Sequence, residues 1–148
     1  MPDTDMDRGT DADLHVVVDG ANVVGSRPDG WWRDRPGAAR RLAGRLVAQL
    51  NTGTEGLAAA LGRPADRALR LHLVLEGEAA RVEDLPTHAR LDVVRAERDG
   101  DSAIVDLVGA LQGAERLVVT ADRDLCDRVR AAGATTTGPG ALLAGLPG

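Results

Sequence analysis

The chain has 148 residues, 43% of them hydrophobic, and a formal net charge of −5. This length predicts one domain with a sizeable core, which must be built from Leu, Val and Ala with two Trp added, because the chain has no Phe and no Tyr. All 18 basic residues are arginine, which excludes P-loop and pyridoxal-phosphate enzymes because both need a lysine. The single cysteine, Cys126, excludes an internal disulfide and a cysteine-rich zinc site.

The first thirteen residues are rich in Asp, Thr and Gly, with five Asp against one Arg. This composition predicts a disordered acidic tail at 1–13, followed by one domain at 14–148. No apolar run is long enough for a membrane span, and no basic-then-apolar leader begins the chain. We therefore expect a soluble, cytoplasmic protein with no membrane contact. The sequence leaves the oligomeric state open, a homodimer included.

Strand-like and helix-like segments alternate along the domain. A strand is predicted at 14–18, a loop with both tryptophans at 19–36, and a helix from Pro36 onward, where apolar residues recur every three or four positions. The later elements are strands at 70–75, 91–96, 116–120 and 135–137, and helices at 78–85, 101–111 and 123–132. Such alternation predicts parallel strands with right-handed crossovers, and hence a three-layer α/β/α sandwich.

Acidic residues stand where the predicted strands give way to loops or helices. Asp19 and Glu76 end the first and second strands, Asp101 opens the helix after the third, and Asp122 and Asp124 follow the fourth. Because the carboxyl ends of parallel strands line one crevice, we expect these carboxylates to lie together. Oxygen ligands suit Mg²⁺ or Mn²⁺. The pattern therefore predicts a divalent-metal site and phosphate chemistry.

Each of these residues also has an ordinary structural interpretation. An acidic residue before Gly favours a turn, and one that opens a helix caps it or complements its dipole. Asp101 falls near the buried stripe of its helix, where an unpaired charge would be costly, and Asn22 places an amide close to Asp19. For Glu76 both interpretations stay open. Capping or solvent-exposed positions are assigned to Asp99, Asp106 and Asp127.

Six of the 18 arginines fall between residues 27 and 45, with Trp31 and Trp32 among them. Guanidinium and indole groups together suit contact with the phosphates and bases of single-stranded RNA. The predicted RNA-binding residues are Arg27, Arg33, Arg41 and Arg45. The alternative is a solvated helix face beside two tryptophans that close the edge of the core.

These motifs together resemble those of the NYN domain, a branch of the PIN-like nuclease superfamily, and most of all its YacP-type predicted RNA-binding subgroup. Residues 18–24 match the family's D-G-x-N motif at a strand end, and residues 101–104 resemble its central helix motif. Residues 120–124 resemble its late T/S-x-D-x-D motif, whereas Glu76 stands where members often have Asp. The resemblance covers about residues 14–140.

The resemblance implies a mainly parallel sheet of four or five strands in the order 3-2-1-4-5. It also implies a ribonuclease in which Asp19, Asp101, Asp122 and Asp124 hold Mg²⁺ or Mn²⁺, with Asn22 placing phosphate or water. The first alternative is a non-catalytic RNA-binding module with the same fold. The second is a small-molecule phosphohydrolase, although such enzymes have an acid where this chain has Ala21.

Overall fold

A computed structural model of the chain describes residues 13–147, so the acidic tail predicted at 1–13 lies, apart from Asp13, outside the described residues. One sheet contains β1 (Leu14–Asp19), β2 (Leu69–Leu75), β3 (Leu91–Arg95), β4 (Glu115–Val119) and β5 (Thr135–Thr137). The strands are parallel and follow the order β3-β2-β1-β4-β5. The predicted strand order is confirmed.

The helices cover both faces of this sheet. They are α1 (Gly20–Gly25), α2 (Arg35–Thr52), α3 (Glu55–Ala60), α4 (Gly100–Ala110), α5 (Arg123–Ala131) and α6 (Pro139–Ala144), with 3₁₀ helices at Trp31–Arg33 and Gly77–Arg81. Buried side chains of α1, α2, α3 and α6 pack on one face, and those of α4 and α5 pack on the other. The three-layer α/β/α sandwich is therefore as predicted.

Helix α1 lies within the segment that the sequence predicts as a loop. The segment has a low intrinsic helix propensity, because it contains Gly20, Asn22 and the β-branched Val23 and Val24. The helix forms because Asp19 caps it, accepting the Asn22 N–H at 3.3 Å, and because Val23 is buried in the core. The loop prediction at this position was wrong, since capping and tertiary packing outweigh local propensity. Similarly, the helix predicted at 78–85 is the shorter 3₁₀ helix at Gly77–Arg81.

Gly20 allows α1 to begin close to β2. A Cβ atom on Gly20 would lie 2.6 Å from the main-chain oxygen of Val74 and 3.0 Å from Cδ2 of Leu75. We expect Gly20→Ala to lower the free energy of unfolding by about 1–3 kcal/mol, because the backbone of β2 has to shift. Urea denaturation measures this change. Gly44→Ala in α2 is the control, because a Cβ atom there meets nothing within 4 Å. We expect this change to raise the free energy of unfolding by about 0.5–1 kcal/mol. Equal effects of the two changes would refute the packing argument.

Candidate functional site at the carboxyl end of the sheet

Asp19 lies at the centre of the candidate site. It ends β1, which lies between β2 and β4, at the point where the strand order reverses and open α/β sheets bind ligands. The residue is only 5% exposed. The hydroxyl of Thr120 donates to its Oδ2 at 2.9 Å, and the Asn22 N–H donates to its Oδ1 at 3.3 Å. Its carboxylate is therefore buried and held in one orientation.

Thr120 and Asn22 connect the ends of β1 and β4. Thr120 Oγ1 accepts the N–H of Asp122 at 3.1 Å, and Asn22 Oδ1 accepts the N–H of Ala121 at 2.8 Å. Asp122 is the N-cap of α5, through its own Oδ1. This network fixes Asp19, Asn22 and Asp122 relative to one another.

Glu76 and Asp101 also belong to the site, and we call Asp19, Glu76, Asp101 and Asp122 together the acidic group. A Cβ atom on Gly100 would lie 2.6 Å from Oε1 of Glu76, so this carboxylate lies against the main chain where α4 begins. Asp101 is half-buried in the first turn of α4. The charge of Glu76 interacts with both Asp19 and Asp101. The ends of β1 and β2 and the start of α4 thus share one negatively charged region.

Burial and the neighbouring negative charges raise the pKa values of Asp19 and Asp101. Burial raises the pKa of Asp19, and the charges of Asp101 and Glu76 raise it further, against the two hydrogen bonds that Asp19 accepts. Burial also raises the pKa of Asp101, as do the charges of Asp122 and Glu76, whereas Arg128 lowers it. A cation among these groups would favour their ionised forms.

The carboxylates do not enclose a cation in the orientations found. Within residues 13–147, no three His, Cys, Asp or Glu side chains converge closely enough to hold a metal ion. Both oxygens of Asp19 and one of Asp122 already accept hydrogen bonds. The available donors are nevertheless oxygen atoms, and Mg²⁺ usually keeps several waters beside one or two protein carboxylates. The residues therefore fit a cation held largely through water.

The remaining acidic residues lie farther from this centre or have structural roles. Asp124 is exposed in the first turn of α5, and its side chain makes no hydrogen bond or ion pair with the described residues, so its metal role stays a prediction. Asp99 caps α4, and its bonds from the Ser102 N–H at 2.7 Å and hydroxyl at 3.2 Å lower its pKa. Asp106 and Asp127 are exposed. The cap at Asp99 and the two solvated positions are confirmed.

Three of the four predicted RNA-binding arginines line one groove. Arg27, Arg41 and Arg45, together with the acidic Asp29, surround a cavity of about 320 Å³ between α1 and α2. The guanidinium groups of Arg27 and Arg41 make no hydrogen bond or ion pair within the described part of the chain, while Nε of Arg45 donates to the carbonyl of Pro147 at 3.0 Å. We call this surface the arginine groove.

The fourth arginine lies with the tryptophans. The guanidinium of Arg33 is 5.7 Å from the ring centroid of Trp32, a residue that is 52% exposed. Trp31 meets Trp32 edge-on, with 6.0 Å between ring centroids, and carries the guanidinium of Arg35 at 5.5 Å from its own centroid. Arg33 does not line the arginine groove, so its RNA-binding role stays a prediction.

Sequence reasoning left the involvement of Glu76 open and gave Thr120 no definite partner. The signal for Glu76 was present, since Glu76-Gly77 ends β2 as Asp19-Gly20 ends β1. The bond from Thr120 to Asp19 joins residues 101 positions apart. No local pattern could indicate it.

The chain is an α/β protein with a parallel five-stranded sheet in the order 3-2-1-4-5 and acidic side chains at the carboxyl end of that sheet. Among solved structures, the chain is similar to Rae1 (YacP) from Bacillus subtilis, with a TM-score of 0.60, 20% sequence identity, and 88% of this chain and 72% of that chain covered. At this identity the likeness establishes a YacP-like fold alone.

The sequence comparisons gave no relative. No protein-family model matches the chain, and no curated protein matches it. Among the described helices, none has both the length and the apolar character needed to cross a bilayer.

Proposed function

We propose that this protein is a divalent-metal-dependent ribonuclease that hydrolyses RNA phosphodiester bonds at the carboxyl end of β1. The observation that supports this proposal most is the buried carboxyl group of Asp19. It interacts with the negative charges of Asp101 and Glu76 where the strand order of a YacP-like fold reverses. The NYN motifs of the sequence support the same assignment. Burying like charges together is unfavourable unless a cation compensates them.

Each side chain has a defined role in this proposal. Asp19, Asp101 and Asp122, together with Asp124, would hold Mg²⁺ or Mn²⁺, in part through bound waters because no three of these side chains converge on one point within residues 13–147. A cation bound there would lower the pKa of a water molecule, so that hydroxide is available at neutral pH, and would offset negative charge on the phosphate. Because Oδ1 of Asn22 already accepts the Ala121 N–H, its Nδ2 group is left to donate to a phosphate oxygen.

An RNA cleavage assay in Mn²⁺ tests the proposal. Asp19→Asn/Asp122→Asn removes two negative charges but keeps both helix caps, since Asn caps helices about as well as Asp. Cleavage should fall at least about 100-fold, because even outer-shell partners of a metal typically contribute about 10–100-fold. The matched control, Asp106→Asn/Asp127→Asn, removes two exposed charges from α4 and α5 and should cleave like the wild type. Equal cleavage by the two double variants rules the proposal out.

The arginine groove provides a second prediction, on RNA binding. Arg41→Ala/Arg45→Ala should weaken binding to single-stranded RNA and flatten its salt dependence. For a single strand, each phosphate contact makes the slope of log K against log salt more negative by about 0.7. Losing two contacts should therefore make the slope about 1.4 less negative. Filter binding in metal-free buffer over a range of salt concentrations measures this slope.

The control for Arg41→Ala/Arg45→Ala is a second double variant that changes the net charge by the same amount. Arg63 and Arg67 bond to Glu115, where β4 begins, at the opposite end of the sheet from Asp19. Arg63→Ala/Arg67→Ala should therefore leave the salt slope near its wild-type value. If both double variants flatten it equally, net charge and not the groove determines the slope.

A non-catalytic RNA-binding module is the second candidate. It is favoured by the absence, within residues 13–147, of three acidic, His or Cys side chains that converge on one point. It is also favoured by Glu76, where NYN domains often have Asp. This alternative predicts salt-dependent RNA binding through the arginine groove, with no cleavage in Mn²⁺ by any variant.

A further inference from the structure

A cavity of about 200 Å³ lies next to the acidic group, between α1, α2, the 3₁₀ helix at Trp31–Arg33 and the end of β2. Trp31 and Arg35 line it together, with the guanidinium 5.5 Å from the indole centroid. Glu76 lines the same cavity and interacts through its charge with Asp19 and Asp101. The rest of the lining is small or apolar: Gly20, Ala21, Val24, Ala39, Leu75, Gly77 and Ala79. We call this cavity the indole cavity.

Arginine-lined surfaces adjoin the indole cavity on two sides. The arginine groove shares Val24 with it. A second depression, of about 550 Å³, shares Gly77 with it and is lined by Arg81, Arg95 and Arg98 along with Glu78 and Glu97. The side chains of Arg81 and Arg98 make no hydrogen bond or ion pair with the described residues, so their guanidinium groups are free to contact phosphate.

We propose that the indole cavity binds one unpaired nucleobase of an RNA strand whose phosphates contact the arginine-lined surfaces on either side. The inference rests on the proposed RNA function. Unpaired bases stack on indole rings and on guanidinium planes, and the wall of this cavity offers both. Its apolar lining suits the faces of a base, whereas the carboxylate of Glu76 would repel a phosphate. A base placed here would lie next to the carboxylates proposed to cut the strand.

The two tryptophans make this placement directly measurable, because the chain contains no others. Trp32→Phe leaves Trp31 as the sole indole, and Trp31→Phe leaves the exposed Trp32. The probe is a short single-stranded oligoribonucleotide of mixed sequence, titrated in metal-free buffer with a chelator so that it stays intact. We expect the fluorescence of the Trp32→Phe protein to be quenched on binding, with little change for Trp31→Phe. Quenching confined to Trp31→Phe would overturn the proposal.

Affinity supplies a second readout. Trp31→Ala should weaken binding roughly 5- to 150-fold, which is the usual effect of losing one base–aromatic stack. Trp32→Ala, its matched control, does not line the cavity and should change affinity by less than about threefold. Thermal unfolding of both variants establishes that they are folded.

Abasic oligoribonucleotides make the test independent of any damage to the fold. One abasic residue is placed at successive positions, and we expect one position to weaken binding by the wild type but not by Trp31→Ala. If RNA binds with no position showing this dependence on Trp31, the indole cavity is not the base site, although RNA binding stands. If the wild type does not bind the oligoribonucleotide, both the cavity assignment and the RNA function fail. If the wild type binds the oligoribonucleotides with the expected dependence on Trp31 but cleaves no RNA in Mn²⁺, the base site is supported and the ribonuclease proposal is refuted.

Discussion

Replacement of Asp19 by Asn is expected to stabilise the metal-free protein at neutral pH and to abolish its stabilisation by Mn²⁺. Burial raises the pKa of Asp19 in the folded protein. For a carboxyl group with a raised pKa, the associated stability is present at low pH and is lost as pH rises through the folded pKa. Asn does not ionise, so the variant avoids this loss. An ionisable carboxyl group at this position thus makes the metal-free protein less stable than an amide would, as is common for functional residues.

Mn²⁺ should reverse this order of stability. A ligand at roughly 100 times its Kd stabilises the state that binds it by about 2.7 kcal/mol, and we expect a gain of this size for the wild type. Thermal unfolding with and without Mn²⁺ measures it without any RNA. Asp106→Asn, which removes an exposed carboxylate of α4, should respond like the wild type. An equal Mn²⁺ response by Asp19→Asn would contradict the assignment of the cation to Asp19.

Acid is expected to destabilise the protein through a buried histidine pair. Nδ1 of His15 lies 2.9 Å from Nε2 of His72, and the two stacked rings have centroids 5.2 Å apart. The two residues are 2% and 5% exposed. His72 Nδ1 lies 3.4 Å from Oδ2 of Asp92. Burial lowers the pKa of His72 from 6.5 to about 4, helped by His15 and Arg70 and opposed by Asp92.

The direction of the pH dependence follows from this lowered pKa. Between pH 6.5 and about 4 the unfolded chain binds a proton at His72 that the folded protein does not. Stability is therefore fully present above pH 6.5 and decreases as pH falls toward about 4. At about 1.4 kcal/mol per pH unit, His72 should account for ~3 kcal/mol of this loss.

Urea denaturation over this pH range measures the effect. His15→Leu/His72→Leu removes both partners of the hydrogen bond, so that neither is left buried and unsatisfied. This double variant should lose ~3 kcal/mol less stability than the wild type between the two pH limits. His88→Gln, which replaces the third histidine, is the control and should follow the wild type. An unchanged acid response of the double variant would show that other groups cause the acid loss.

Much of the fold was predictable because its strands are short runs rich in apolar or β-branched residues. β5, at Thr135–Thr137, has the bounds that the sequence indicated, and the other strands differ by one or two residues. Helix α1 could not be predicted in the same way, because Gly20 and Asn22 are weak helix formers. Its existence depends on the Asp19 cap and on space beside Val74, neither of which a local sequence pattern shows.

The candidate site was predictable only to the level of which acidic residues end strands or open helices. Burial and the charge of Asp101 raise the pKa of Asp19, and burial and the charge of Asp122 raise that of Asp101, but no three of these side chains within residues 13–147 converge closely enough to hold a metal ion. The part played by Glu76 depends on Gly100, which has no side chain to obstruct its carboxylate. The indole cavity depends on how α1, α2 and β2 pack around Trp31. Such relations come from tertiary structure and leave no local pattern in the sequence.

The origin of the oxygen atom added at the cut tests the central claim most directly. In the proposed reaction, water activated at the carboxylates around Asp19 attacks phosphorus. Cleavage of RNA by the wild-type protein in Mn²⁺ and heavy-oxygen water should therefore place one labelled oxygen on the newly formed phosphate end. Mass spectrometry of the products reads this label, and replacing the 2′-hydroxyl at the cut by hydrogen should not prevent cleavage. Unlabelled 2′,3′-cyclic phosphate ends, formed by attack of the RNA's own 2′-hydroxyl, would contradict the account.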